Sequence, residues 1–176
     1  SEKEELKKEI RRNLEENKDV LRRHEEENRR LKKRIKELLE RHARTNKRLK
    51  EEIDRTIRDK DTAERVKREL DKLHKEAEEL IREVLRRLDE LHKTAEDIVR
   101  TSEKLLKEVE EELKDLDSRL LEELLRKLEK LSRDSKEKLK EISKRSKELV
   151  KRIERELEKM TKKSRDLVKK IKEEEK

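Results

Sequence analysis

Polar residues recur in this sequence at a fixed offset of 18 positions, on stripes that are otherwise apolar. His24 and Asn28 return as His42 and Asn46, and His74 and Ala77 return as His92 and Ala95. Ser143, Ser146, Leu149, Val150 and Ile153 return as Thr161, Ser164, Leu167, Val168 and Ile171. Eighteen residues make five turns at 3.6 residues per turn, so each copy returns to the same face of a straight helix. A heptad repeat would instead wind the helices into a left-handed supercoil. The offset therefore demands helices long enough to hold two copies, with histidines set into the core stripe.

The apolar residues fall into three such stripes. The first carries Leu6, Ile10, Leu14, Leu21, Leu31, Ile35, Leu38, Ile53 and Ile57. The second runs from Val66 through Leu70, Leu73, Leu80, Val84, Leu88, Leu91, Ile98, Leu105 and Val109 to Leu113, widened by Ile81, Leu85, Val99 and Leu106. The third runs from Leu121 through Leu124, Leu128, Leu139, Ile142, Leu149, Ile153, Leu157, Met160 and Leu167 to Ile171. On a helical wheel each stripe covers an arc of about 120–160°, the width suited to a three-helix core.

Helix breaks are hard to see because the chain has no Gly and no Pro. One four-residue pattern occurs twice, as Asp59-Lys60-Asp61-Thr62 and Asp115-Leu116-Asp117-Ser118. Asp, Ser and Thr accept hydrogen bonds from the free N–H groups of a helix start, and Asp favours the positive end of the helix dipole. Glu64 follows Asp61 by three residues, as in a capping box. Short loops are therefore predicted near 59–62 and 115–118, with helices over about 2–58, 62–115 and 118–175. At 1.5 Å per residue each is roughly 85 Å long. A rival break at Ser132-Arg133-Asp134-Ser135 would leave a stub helix of unequal length. The expected fold is all-α: one straight antiparallel three-helix bundle of very long helices spanning residues 1–176.

Register supports this topology. In an antiparallel pair, residues at one level share an index sum, and His24 with His92 and His42 with His74 both sum to 116. His92 with Ser143 and His74 with Thr161 both sum to 235. Two polar layers follow: His24, Asn28, His92, Ser143 and Ser146; and His42, Asn46, His74, Thr161 and Ser164. A further layer without histidine can be drawn from Asn13, Asn17, Ser102, Ser132 and Ser135. Charge is partitioned too. Residues 1–60 hold 22 basic and 16 acidic residues, 61–117 hold 13 and 19, and 118–176 hold 22 and 14. An acidic middle helix between two basic ones favours this arrangement, although an exposed pair contributes only about 0.2–1 kcal/mol.

Composition bears on origin. The 176 residues lack Phe, Trp, Tyr and Cys as well as Gly and Pro, and 60% are charged. At an average usage of about 7%, a natural chain this long would lack Gly by chance roughly a few times per million. The whole chain resembles de novo designed helical bundles. The resemblance rests on the idealised stripes, the repeated Asp-x-Asp-Ser/Thr connection, the Glu/Lys/Arg surface and the polar layers among aliphatic ones. The histidine layers are similar to those of designed pH-responsive bundles. That likeness implies that His24, His42, His74 and His92 pair with polar partners at neutral pH and that acid disrupts the assembly. Such designs often carry Gly or Pro in loops and set the layers between chains. This chain has neither residue and holds all three helices covalently. Ser1 in place of Met points the same way, to a processed recombinant product that is soluble when expressed.

Other function classes find little support. Zinc needs three or four N, S or O ligands. Each layer offers two histidines beside poor Asn and Ser ligands, with no acidic residue on the stripe, so no metal site is expected. Ser and His share layers, yet no buried acid orients the imidazole and no Gly loop supplies an oxyanion hole, so no catalytic residue and no enzyme is expected. No cofactor site is visible. The net charge of +8 comes from interleaved acidic and basic residues. With no aromatic to stack on bases, nucleic-acid binding is not expected. No apolar run approaches 18 residues, and no apolar–basic face carries Trp or Phe, so neither a membrane span nor a membrane-surface helix is expected. No signal peptide is visible. No partner is required by this reading: a monomer is expected, with self-association, as a homo-oligomer or filament subunit, the alternative.

Overall fold

The structure, a computed structural model, describes residues 1–115 and 117–175, and of Ser118 the backbone alone. Three long helices account for nearly all of it: α1 (Glu2–Thr56), α2 (Lys60–Glu112) and α3 (Ser118–Glu174). No strand occurs among the described residues. The all-α three-helix expectation therefore holds. α3 runs unbroken through Ser132–Ser135, so the rival break is not used. Leu116 and the side chain of Ser118, in the second Asp-x-Asp-Ser/Thr pattern, lie outside the described residues.

The helix ends follow capping chemistry. At α1, Ser1 Oγ accepts from the Glu4 N–H at 3.4 Å. α1 closes at Thr56, before the expected residue 58, and only residues 57–59 separate it from α2. The cap of α2 is Asp59, not Asp61. Thr62 Oγ1 donates to Asp59 Oδ2 at 2.6 Å, and the Ala63 N–H reaches the Asp59 carbonyl at 3.0 Å. The first Asp of the pattern wins because buried Ile57 anchors the chain two residues before it. Thr62 then falls three residues after the cap, where its hydroxyl can close on the carboxylate. That hydrogen bond, with N–H donors of Asp61 and Thr62, holds the Asp59 carboxyl below its ordinary value. α2 gives way to a 3₁₀ turn at Leu113–Asp115 with Leu113 fully buried. At α3 the cap is Asp117, whose Oδ1 accepts from the N–H groups of Arg119 and Leu120 at 3.1 and 3.2 Å.

The chain forms two compact units, one of residues 1–29 and 88–146, the other of residues 30–87 and 147–176. Each draws a stretch from all three helices. In the first, Leu6, Ile10, Leu106, Leu113, Leu121 and Leu128 make one apolar cluster, and Ala95, Val99, Leu139 and Ile142 make another. In the second, Leu49, Ile53, Ile57, Val66, Leu70, Val168 and Ile171 pack together. A fully buried Leu or Ile such as Leu70 or Ile53 contributes about 1.5–3 kcal/mol. Within each unit the polar contacts report direction. His24 meets His92 and Asn17 meets Ser102 in the first, and His42 meets His74 and Lys50 meets Asp71 in the second, so α1 and α2 are antiparallel within each unit. Ser132 with Asn13 and Lys136 with Glu16 in the first, and Arg34 with Glu154 and Lys172 with Glu52 in the second, keep a constant offset, so α1 and α3 run parallel within each unit.

Candidate functional site

Each unit contains one histidine pair bridging α1 and α2. His24 Nδ1 lies 2.9 Å from His92 Nδ1, and His42 Nδ1 lies 2.9 Å from His74 Nδ1. The rings are nearly parallel, 3° apart with centroids at 5.1 Å in the first pair and 7° apart at 5.2 Å in the second. The two members differ in depth. His24 and His42 on α1 are buried, at 5% and 3% exposure. His74 and His92 on α2 are half-buried.

The outer nitrogens explain why. His74 Nε2 is 3.0 Å from Glu78 Oε1, and His92 Nε2 is 2.9 Å from Glu96 Oε1. His92 Nε2 also has Glu25 Oε1 of α1 at 3.9 Å. The acids beside the layers are partly exposed and stand on the flank of the stripe: a carboxylate one turn along α2 faces each half-buried imidazole. The signal was in the sequence. Glu78 and Glu96 stand four residues after His74 and His92, a same-face spacing, and they share the 18-residue offset.

These carboxylates set the tautomers at neutral pH. A carboxylate only accepts, so Nε2 of His74 and of His92 carries hydrogen and donates to it. Their Nδ1 atoms then hold lone pairs. His42 and His24 must supply the hydrogen, as Nδ1–H donors. Each pair is one directed chain from the buried imidazole through the half-buried one to a glutamate.

The remaining residues of the layers join this chain less than their spacing implied. Ser146 Oγ donates to the Ile142 carbonyl at 3.0 Å and Ser164 Oγ to the Met160 carbonyl at 3.1 Å. A buried serine in a helix satisfies itself on the carbonyl one turn back, and this local bond wins over a partner across the core. Ser143 is half-buried, and Thr161 lines a surface cavity beside His42 together with Arg34, Arg41, Glu154 and Arg165. No described hydrogen bond joins either to a histidine. Asn28 and Asn46 are buried, and the Oδ1 of each lacks a hydrogen-bond partner. The histidine-free layer resolves into two bonds: Asn17 Nδ2 donates to Ser102 Oγ at 3.0 Å, and Ser132 Oγ donates to Asn13 Oδ1 at 3.3 Å. Ser135 is buried.

Protonation is biased by depth. Burial pushes the His42 imidazole below its ordinary 6.5, and His74 pushes the same way. Burial likewise lowers His24, helped by His92 and opposed by Glu27 and Glu25. A pair that gains one proton keeps its Nδ1···Nδ1 bond, because one lone pair remains between the rings. A second proton places N–H against N–H at 2.9 Å and removes the bond.

No helix among the described residues is long and apolar enough to cross a membrane. Compared with known proteins, the chain matches no protein-family model, no curated protein and no solved structure.

Proposed function

We propose that this chain is a designed structural scaffold with no natural biochemical activity, whose histidine pairs make its stability depend on pH. The observation that carries the reading is the His42–His74 pair, a 2.9 Å bond that tolerates one proton and not two. The 18-residue recurrence and the absence of Gly and Pro support a designed origin. Glu78 is the charged group on His74, and Arg34, Arg41, Glu154, Glu158, Lys162, Arg165 and Asp166 line the cavity that reaches His42. The sign follows from linkage. With the folded pKa of His42 below 6.5, the unfolded chain binds more protons in the window beneath that value. Stability is therefore greatest above the unfolded pKa, falls as pH drops toward the depressed value, and levels off below it. Imidazole ¹⁵N–¹H correlation spectra in chelator-treated buffer test the pair. At pH 7.5 His42 is expected as the Nδ1–H tautomer and His74 as the Nε2–H tautomer, with His42 half-protonated below pH 6.5. Two Nε2–H tautomers, or a His42 midpoint at or above 6.5, would overturn the reading.

A second reading is a subunit of a designed homo-oligomer. It is favoured by Leu105, Leu120 and Leu125, exposed at 39%, 45% and 37% toward the α2–α3 connection. Light scattering at neutral pH separates the two. The scaffold reading expects the mass of one 21.7 kDa chain. A multiple of that mass, lost on changing Leu120 and Leu125 to Glu, would establish the oligomer instead.

A further inference from the structure

The two histidine pairs are copies, but their surroundings are not. In the first unit, His92 Nε2, Glu96 Oε1 and Glu25 Oε1 all lie within 4.8 Å of one another. In the second unit His74 has Glu78, yet the position 18 residues after Glu25 is Ala43, which has no ligand atom. We infer that His92, Glu96 and Glu25 form a binding site for one divalent transition-metal ion of zinc-like chemistry, and that Ala43 denies the second pair the same site.

The donor set is one imidazole nitrogen and two carboxylate oxygens, a three-ligand set that leaves a fourth position open to water. Imidazole favours zinc and its neighbours over calcium and magnesium, which prefer oxygen ligands alone. Tetrahedral bonds of about 2.0–2.1 Å put ligand atoms roughly 3.3 Å apart. His92 Nε2 is 2.9 Å from Glu96 Oε1 and 3.9 Å from Glu25 Oε1, so about half an ångström of movement in each glutamate brings both carboxylates to that distance from Nε2. Both glutamates are partly exposed, at 38% and 42%, and free to make it, while His92 is held from behind by His24. A metal-binding histidine gains orientation and basicity when its other ring nitrogen is hydrogen-bonded in this way.

The proton balance closes within the pair. The ion takes the place of hydrogen on His92 Nε2. The hydrogen between the rings moves from His24 Nδ1 to His92 Nδ1, and His24 Nε2 takes up the displaced proton. Both imidazoles remain neutral and both exchange tautomers. Binding therefore has a spectroscopic signature at His24, which the ion does not touch.

Calorimetric titration of the chelator-treated protein with ZnCl₂ at pH 7.5 tests the site, with imidazole ¹⁵N spectra recorded alongside. The expected result is one Zn²⁺ per chain, with His24 switching from the Nδ1–H to the Nε2–H tautomer and His42 unchanged. Glu25→Ala, a change at a partly exposed position, should weaken binding by at least about tenfold, no less than the loss of a hydrogen bond behind a ligand costs. Ala43→Glu should raise the stoichiometry to two. Absence of binding, binding indifferent to Glu25→Ala, or an Ala43→Glu variant that still takes one ion would each overturn the inference.

Discussion

A buried amide oxygen with no donor costs about 1–3 kcal/mol, more than a satisfied hydrogen bond returns. Asn28 and Asn46 each hold such an oxygen one turn from a paired histidine. Replacing Asn46 with Leu, which removes the stranded group and keeps the side chain's bulk, should raise unfolding stability at pH 7.5 by about 1–2 kcal/mol in denaturant titration. A loss of stability would mean that the amide is satisfied in solution. The residue scale is also where the sequence misled. The 18-residue offset located His24, His42, His74 and His92 correctly on facing stripes, because period and index sum are geometric facts. It could not reveal that Ser146 and Ser164 turn back onto their own helix, because a hydroxyl's choice between a near carbonyl and a distant partner leaves no mark on spacing. Glu78 and Glu96 were hidden for a different reason. Among 49 acidic residues, two more on a helix flank look like surface.

At the scale of the helix, the sequence was legible to within a few residues at each end. Stripe width and loop pattern specified three helices, and α1, α2 and α3 span 55, 53 and 57 residues. What remained ambiguous was which Asp of each Asp-x-Asp-Ser/Thr pattern caps. The answer differs between the copies: the first Asp, Asp59, for α2 and the second, Asp117, for α3. At α2 the choice follows the burial of Ile57, and that is a tertiary fact. Asp117 holds two N–H groups of α3, so Asp117→Ala should lower stability by about 1 kcal/mol. Asp115→Ala, which removes a side chain outside that cap, should cost less in the same denaturant titration. Equal losses would show that local charge, and not the cap, sets the effect.

At the scale of the whole molecule, partition of net charge carried only part of the pairing. Arg11 with Glu110 and Lys50 with Asp71 join basic α1 to acidic α2, as the sums imply. Arg34 with Glu154, Lys136 with Glu16 and Lys172 with Glu52 join α1 to α3, although both carry net positive charge. Exposed pairs of this kind are each worth little, so the pH response should be governed by the core and not by the surface. The most direct measurement is the denaturant midpoint at pH 7.5 and at pH 4.5, in chelator-treated buffer, for the parent chain and for the His42→Asn/His74→Asn variant. The parent should lose stability on acidification, and the variant should lose distinctly less. The same loss in both chains would assign the pH dependence to surface carboxylates and contradict the account.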